Sequence, residues 1–266
     1  MLAWLFARST NRRFLIRVED LDDRTRSAVA DRQLADLAAI GLTWDGDPEW
    51  QSSHPHRYTA VIADLDRRGL VYECFCSRRD ILNAPRAPHA PLGAYPGTCR
   101  DLTEAERSRK RAAGKPPALR LRSGATQFSI TDLHGDYTGV VDDFVLRRGD
   151  GVPAYNLAVV VDDALSGVDQ IVRGDDLLSS APRQAYLGSL LGYPQPTYAH
   201  VPLVLNTEGK RLAKRDGAVT LGELGASRAL ALIGESLGCG PATSIESLLD
   251  SFNPARLPRR PWIYRG

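Results

Sequence analysis

The sequence predicts an α/β fold of the Rossmann type, and three observations lead to that prediction. A short β-rich run at residues 14–18 is followed directly by the acidic segment 19–23. Two amphipathic stretches come next, each closed by a glycine, and the apolar run 70–72 follows them. Strands that alternate with helices are typical of a parallel sheet covered by helices. The 266 residues suffice for one large core, or for a main domain with smaller additions.

Residues 1–9 form an apolar stretch that predicts a helix. No Ser, Thr, Asp or Asn caps its start, which is typical of the second half of a helix. Two further helices are predicted over residues 27–40 and 58–68, where Gly41 and Gly69 end them. Because ligands in open α/β sheets lie at the carboxyl ends of strands, the carboxylates after the first strand mark a candidate site.

From Cys74 to about Arg122 the chain is rich in proline, and short β-like pieces follow up to Leu146. This change of composition indicates an insertion. After it we predict strands at 154–161 and 170–173, then a helix at 180–191 and a small helical tail at 226–252. The predicted domains are 1–73 (first half of the α/β domain), 74–150 (insertion), 151–225 (second half of the α/β domain) and 226–266 (tail).

Composition describes an ordinary globular protein, with 43% hydrophobic and 25% charged residues and a net charge of +2. Disorder and a fibrous design are therefore excluded. The four cysteines are too few for a disulfide scaffold, which favours the cytosol over secretion. No apolar run approaches the roughly 20 residues that span a bilayer. We expect a soluble, cytoplasmic protein with no membrane partner.

Three of the cysteines indicate a metal site. Cys74-x-Cys76 and Cys99 supply three thiolates, and a tetrahedral zinc site needs one more ligand. His89 and Tyr95 are the nearby candidates, and spacing alone favours His89 because histidine is the usual fourth ligand. The alternative is that the three cysteines are simply small buried residues.

Four further residues are candidates for substrate binding, and each has an ordinary alternative. Glu19 at a strand end suits an ammonium group, but it can equally be an ion-pair partner of Arg17 or Arg24. Tyr155 can be a core or sheet-surface aromatic, and Arg173 can pair with Asp175 or Asp176. Lys214 lies in a glycine-punctuated basic loop, residues 209–217, that suits polyphosphate, although solvated lysines are common.

Taken together, the motifs occur in the order seen in class I glutamyl-tRNA synthetases, which the chain resembles from residue 1 to about 225. So many ordered motifs make the resemblance highly specific. The motifs are Glu19-Asp20-Leu21-Asp22, Trp44-Asp45-Gly46, Gln51-Ser52, Tyr155 with Val161-Asp162-Asp163, Val172-Arg173-Gly174-x-Asp176-Leu177-Leu178, Pro182-Arg183-Gln184, Pro202-Leu203-Val204-Leu205-Asn206 and Arg211-Leu212-Ala213-Lys214-Arg215.

Within that family the chain is most similar to the short paralogues, the glutamyl-Q tRNA(Asp) synthetases, because only about fifty residues follow Arg215. The resemblance implies a cytoplasmic, monomeric ligase that activates L-glutamate with ATP and Mg²⁺ and transfers it to queuosine at the wobble position of tRNA(Asp). It also implies a structural zinc ion bound by Cys74, Cys76, Tyr95 and Cys99. In this set Tyr95, and not His89, is the fourth ligand.

The resemblance implies roles for individual residues as well. Glu19 would pair with the α-ammonium group of glutamate, Tyr155 would add a hydrogen bond, and Arg173 would meet a carboxylate. Lys214 would act in catalysis by neutralising charge on the departing pyrophosphate. The residues implied to bind ATP are Lys214, Arg211 and Arg215.

One family motif, a His-x-Gly-His-like first signature, would lie upstream of Met1, and we expect the natural protein to extend in that direction. Two alternatives follow from this departure and from the short tail. The chain can be a truncated glutamyl-tRNA synthetase that charges the tRNA 3′ end. It can also be a tRNA-binding remnant that lost activity with the first signature.

Overall fold

The structure is a computed structural model that describes residues 1–22, 27–84, 94–212 and 220–265. Within these residues the helices are α1 (Leu2–Ser9), α2 (Ser27–Ala39), α3 (Pro55–Arg67), α4 (Arg78–Asn83), α5 (Glu104–Ala112), α6 (Tyr155–Leu165), α7 (Ala181–Leu190), α8 (Leu221–Leu224), α9 (Ala226–Ser236) and α10 (Ile245–Ser251). The strands are β1 (Arg17–Val18), β2 (Glu49–Trp50), β3 (Val71–Cys74), β4 (Ala118–Leu121), β5 (Gln127–Asp132), β6 (Gly135–Val140), β7 (Val145–Arg147), β8 (Gln170–Gly174), β9 (Thr197–Val201), β10 (Val204–Leu205) and β11 (Trp262–Ile263).

The chain forms two compact units, each built from separate stretches of sequence. The first unit holds residues 1–50, 171–178 and 199–266. The second unit holds residues 51–170 and 179–198. Among the described residues, no helix combines the length and the apolar character needed to cross a bilayer.

Short parallel strand pairs organise the first unit. β1 pairs with β2, β10 pairs with β11, and β8 is a neighbour of β9. The hydrogen bonding between β1 and β2 begins one residue before β1, because the Ile16 carbonyl accepts from the Glu49 N–H at 2.9 Å. At the other end of the chain α10 packs on α1, where the rings of Phe6 and Phe252 lie 5.4 Å apart. These contacts fix the strand end that precedes Glu19.

Within the described residues, antiparallel strand pairs and the five helices α3 to α7 form the second unit. One sheet has the order β3-β4-β7, and β5 pairs antiparallel with β6 and meets the start of β9 in parallel, where Asp132 faces Tyr198. Helices α3, α6 and α7 pack in the same unit. Its fully buried side chains include Tyr58, Leu65, Leu121, Leu146, Leu157 and Leu187. The cysteine cluster is attached to this sheet through Cys74 at the end of β3.

The predicted α/β class is confirmed, and so are most predicted elements. Helices α1, α2, α3 and α7 occupy the stretches predicted for them, α9 and α10 form the predicted tail, and β8 covers the strand predicted at 170–173.

The strand predicted at 154–161 is wrong, because these residues begin helix α6. The prediction relied on a short run rich in valine, and such a run does not distinguish a buried strand from a buried helix. In the helix, Leu157, Ala158, Val161 and Asp162 are all buried, which is the spacing of one helical face. Strand β11 was not predicted within the helical tail.

Candidate active site and metal centre

Glu19 lies directly after β1, at the strand end where the sequence places it. Its side chain is 48% exposed, and its Oε1 lies 3.6 Å from Nη2 of Arg17. The ion pair named as the ordinary alternative is therefore present. Half-exposed pairs of this length contribute only about 0–1 kcal/mol, so a ligand ammonium group can compete with Arg17 for the carboxylate.

Arg173 lies on β8, and a buried histidine holds its guanidinium group. The Arg173 Nε–H donates to Nε2 of His200 at 3.1 Å, and Nη2 lies 3.5 Å from the Leu177 carbonyl oxygen. His200 lies on the neighbouring strand β9 and is only 4% exposed. Because Nε2 accepts this bond, the neutral ring carries its proton on Nδ1. His200 thus orients the arginine that the sequence assigns to glutamate.

Arg211 lies in the described part of the basic loop, residues 209–212, and contacts the segment after β8. Its Nη1 donates to Oδ2 of Asp176 at 2.7 Å. The turn before it is closed by the Asn206 N–H, which donates to the Lys210 carbonyl at 2.8 Å. Lys214 and Arg215, which were predicted to bind ATP, lie outside the described residues.

The predicted substrate residues are divided between the two units. Glu19, Arg173 and Arg211 belong to the first unit, and Tyr155 belongs to the second. Tyr155 is the first residue of α6 and is 44% exposed. A side chain with that much exposure on a helix is neither a core nor a sheet-surface aromatic, so the ordinary alternatives for Tyr155 do not apply.

Cys74, Cys76 and Cys99 meet in the second unit, where their Sγ atoms all lie within 4.8 Å of one another. The Tyr95 Oη lies 3.3 Å from the Cys74 Sγ and 3.9 Å from the Cys76 Sγ. The Cys99 N–H donates to the same Oη at 2.8 Å. The four predicted zinc ligands therefore converge, whereas His89 lies outside the described residues.

The dimensions of this cluster fit a tetrahedral metal ion. Zinc–sulfur bonds of ~2.3 Å in a tetrahedron put two sulfur atoms ~3.8 Å apart, and the Cys76 and Cys99 Sγ atoms are 3.6 Å apart. Burial, together with the negative charge of Cys74, raises the pKa of the Cys76 thiol to about 12. Because crowded thiolates repel one another, a divalent cation is a favourable neighbour for them.

A buried arginine, which the sequence analysis did not single out, lies beside the cluster. Arg120 is 6% exposed, and its guanidinium carbon lies 3.7 Å from the centre of the Tyr95 ring. Burial alone would raise the pKa of Cys74, but its hydrogen bond to Tyr95 and the positive charge of Arg120 outweigh burial and lower that pKa. The Arg120 Nη1 donates to the backbone carbonyl of Asp143 at 2.7 Å.

Two buried carboxylates anchor the second unit. Asp143 accepts hydrogen bonds from the Tyr72 hydroxyl, Arg100 and the Ser123 N–H. Asp162 on α6 is 1% exposed, and its Oδ2 accepts from Gln51 Nε2 and from Tyr58 Oη, both at 2.7 Å. These two hydrogen bonds to Asp162 hold helix α6, which begins at Tyr155, in its position.

Comparison with known proteins places these features in a family. The model of the tRNA synthetases class I (E and Q) catalytic domain matches residues 1–228. A protein named glutamyl-Q tRNA(Asp) synthetase from Nocardia farcinica is 64% identical over 99% of this chain and 86% of its own length. A protein of the same name from Symbiobacterium thermophilum is 41% identical over 98% of this chain and 88% of its own length.

Solved structures show the same fold. A glutamate tRNA ligase from Elizabethkingia meningosepticum, crystallised in complex with its amino acid, superposes with a TM-score of 0.78 over 99% of this chain at 21% identity. A glutamate-tRNA synthetase from Elizabethkingia anophelis gives a TM-score of 0.79 at the same identity. This chain spans 62% and 63% of the lengths of those two structures. The α/β fold is therefore that of a class I synthetase catalytic domain.

Proposed function

The chain belongs to the class I tRNA synthetase (E and Q) catalytic-domain family, a family of ligases, and we propose that it activates L-glutamate with ATP and transfers the glutamyl group to queuosine in tRNA(Asp). The observation that carries the proposal is the 64% identity, over 99% of the chain, to a glutamyl-Q tRNA(Asp) synthetase. The target nucleotide is queuosine at the wobble position. The reaction takes place in the cytoplasm, and the protein acts as a monomer.

Glutamate is held by opposite charges at the ends of two strands. The Glu19 carboxylate pairs with the α-ammonium group, and the Arg173 guanidinium pairs with a carboxylate of the substrate. The hydrogen bond from Arg173 to His200 supports this role, because it fixes the plane of the guanidinium before the substrate arrives. Tyr155, which is 44% exposed, adds a hydrogen bond through its hydroxyl group.

ATP is held by the basic loop together with Mg²⁺. A carboxylate oxygen of glutamate attacks the α-phosphorus, and pyrophosphate leaves with the electron pair of the broken P–O bond. Arg211, Lys214 and Arg215 stabilise the charge that develops on the pyrophosphate, with Lys214 as the catalytic cation. The exposed ion pair of Arg211 with Asp176 supports this role, because an exposed pair exchanges partners at little cost.

The metal centre is a structural zinc site of Cys74, Cys76, Tyr95 and Cys99. Bound zinc would supply a cross-link between the end of β3 and the loop that carries Tyr95 and Cys99. Oη and Sγ distances of 3.3–3.9 Å support the four-ligand assignment. These residues bind and orient the metal, and they take no part in glutamyl transfer.

Two assays test the proposal. Exchange of labelled pyrophosphate into ATP, with and without tRNA, should depend on glutamate and fail with glutamine or aspartate. Labelled glutamate should then appear on tRNA(Asp) that carries queuosine, but neither on tRNA(Asp) that lacks queuosine nor on tRNA(Glu). Label on the 3′ end of tRNA(Glu) would instead identify a truncated glutamyl-tRNA synthetase. Tight tRNA binding without exchange would identify a non-catalytic protein.

Arg173→Lys is the matched test of glutamate recognition. It keeps the charge but loses the planar fork, so kcat/KM for glutamate should fall about 10- to 100-fold, the range expected for a charge-assisted hydrogen bond. Arg228→Ala is the control, because Arg228 is an exposed arginine of the same unit and lies on α9. Equal kinetics for the two variants would remove Arg173 from the substrate site.

A further inference from the structure

Arg120 is a buried cation whose position is set by the register of the β3–β4 pair. Tyr72 faces Arg120 and Cys74 faces Ala118, so Arg120 and Cys74 are diagonal neighbours on the same face of the sheet. The guanidinium also stacks on Tyr95, with 3.7 Å between its carbon and the ring centre. One cation therefore lies against two of the four proposed metal ligands.

Among the described residues, no carboxylate forms a hydrogen bond or an ion pair with Arg120. Its Nη1 donates to the Asp143 carbonyl oxygen, which is neutral, and its buried Nε–H has no hydrogen-bond partner among the described residues. The Asp143 carboxylate is already used by Tyr72, Arg100 and Ser123. Buried charges in proteins are paired, because an unpaired one is costly. The side chain thus lacks an anion in a place where the cysteine cluster can supply one.

We propose that Arg120 is the counter-charge of the metal centre, holding the zinc-bound thiolates and Tyr95 in place by its positive charge; this rests on the zinc assignment made above. Three thiolates around Zn²⁺ leave a net charge of minus one before Tyr95 contributes. The centre is buried, so solvent screens this excess poorly. Arg120 offsets it from the same sheet face, and its stacking on Tyr95 orients the fourth ligand.

The role of Arg120 is that of a positioning residue, since it does not touch the metal itself. Changes to residues that support metal ligands in this way commonly lower metal affinity about 10- to 100-fold. Removal of the charge should therefore weaken zinc binding by that factor, while all four ligands remain. Restoration of a positive charge at the same position should recover most of the loss.

The experiment compares zinc affinity in the full chain carrying Arg120→Met, Arg120→Lys or Arg122→Met. Affinity is measured by competition with the chromogenic chelator 4-(2-pyridylazo)resorcinol, and far-UV circular dichroism at saturating zinc checks folding. Arg122→Met is the matched control, because Arg122 lies two residues away, with its guanidinium carbon 5.2 Å from the centre of the Tyr72 ring and its Nη1 bonded to Asp101.

We expect Arg120→Met to bind zinc about 10- to 100-fold more weakly than wild type, and both Arg120→Lys and Arg122→Met to stay much closer to wild type. Arg120→Met within threefold of wild type would overturn the proposal, and so would Arg120→Lys as weak as Arg120→Met. If Arg120→Met does not fold, Arg120→Gln takes its place, because it also lacks the charge, and zinc affinity within threefold of wild type would again overturn the proposal. A wild-type chain that holds no zinc would overturn the metal centre itself, whereas glutamyl transfer is tested separately.

Discussion

Asp162→Ala should destabilise the second unit by about 3–5 kcal/mol. The substitution removes the acceptor of two buried donors, Gln51 Nε2 and Tyr58 Oη, each 2.7 Å from the carboxylate. An orphaned buried donor costs about 1–3 kcal/mol. Arg57, the third partner at 3.5 Å, keeps a side chain that is 21% exposed and can turn to water, so its loss adds little.

Urea unfolding followed by circular dichroism is the suitable measurement. The four tryptophans, Trp4, Trp44, Trp50 and Trp262, all belong to the first unit, so their fluorescence would report on the wrong part of the chain. The free energy of unfolding is obtained from the midpoint and slope of the transition at 222 nm. A loss below 1 kcal/mol would show that the donors find water when the carboxylate is gone.

Tyr58→Phe supplies the internal control for this argument. The phenylalanine keeps the ring and removes the hydroxyl donor, so in the wild-type background it should cost about 1 kcal/mol. In the Asp162→Ala background the hydrogen bond to Asp162 is already gone, so removal of the hydroxyl should cost clearly less. The same cost in both backgrounds would mean that the two groups are not coupled.

Three further predictions concern other parts of the chain. Gly234→Ala should destabilise the protein by about 2 kcal/mol, although alanine favours helices, because the new Cβ would lie 2.1 Å from the Gly240 carbonyl oxygen. In zinc competition, Cys99→Ser should lose more affinity than Tyr95→Phe, which keeps all three thiolates. His200→Ala should raise KM for glutamate about 10-fold with little change in kcat, because the loss of one hydrogen bond leaves the arginine beside it unoriented.

Each of these predictions has its own control. In Gly222→Ala the new Cβ would meet only Thr220 Oγ1, at an ordinary contact distance of 4.0 Å, so thermal unfolding should distinguish it from Gly234→Ala, and equal midpoints would contradict the clash. Cobalt absorption spectra report the thiolate count, and Tyr95→Phe should keep the full sulfur-to-cobalt band. His200→Gln retains an acceptor and should restore most of the KM. A fall in kcat alone in His200→Ala would count against a positioning role.

Local spacing predicted most of the secondary structure, with the segment 154–161 as an exception. The helix at residues 58–68 was found as α3 because Tyr58, Ile62 and Leu65 return on one face. The segment 154–161 was misread because Val159, Val160 and Val161 have high strand propensity. What decides its helical state is packing against α3 and α7, together with Asp162, and none of these is visible in a short window.

The residues that support the candidate sites depend on strand pairing rather than on local sequence. The cysteines could be predicted from their spacing, and Tyr95 from the family resemblance. Arg120 and His200 could not, because Arg120 reaches the cluster through the register of β3 with β4, and His200 meets Arg173 across 27 residues of sequence. A lone arginine or histidine in an apolar strand carries no signal until its neighbour strand is known.

Gly174 lies between Arg173, which is proposed to bind glutamate, and Asp176, which contacts Arg211 of the proposed ATP-binding set. A Cβ at this position would lie 2.6 Å from Oδ1 of Asp176 and 2.7 Å from Cδ2 of Leu203, so a larger residue would displace these two side-chain ends. The segment after β8 brings the Asp176 carboxylate to Arg211 while Arg173, one residue before the glycine, stays bonded to His200. The residue proposed to bind glutamate and the first residue of the ATP-binding set are therefore held by one short segment. Their relative position is set by backbone geometry, as positional catalysis requires.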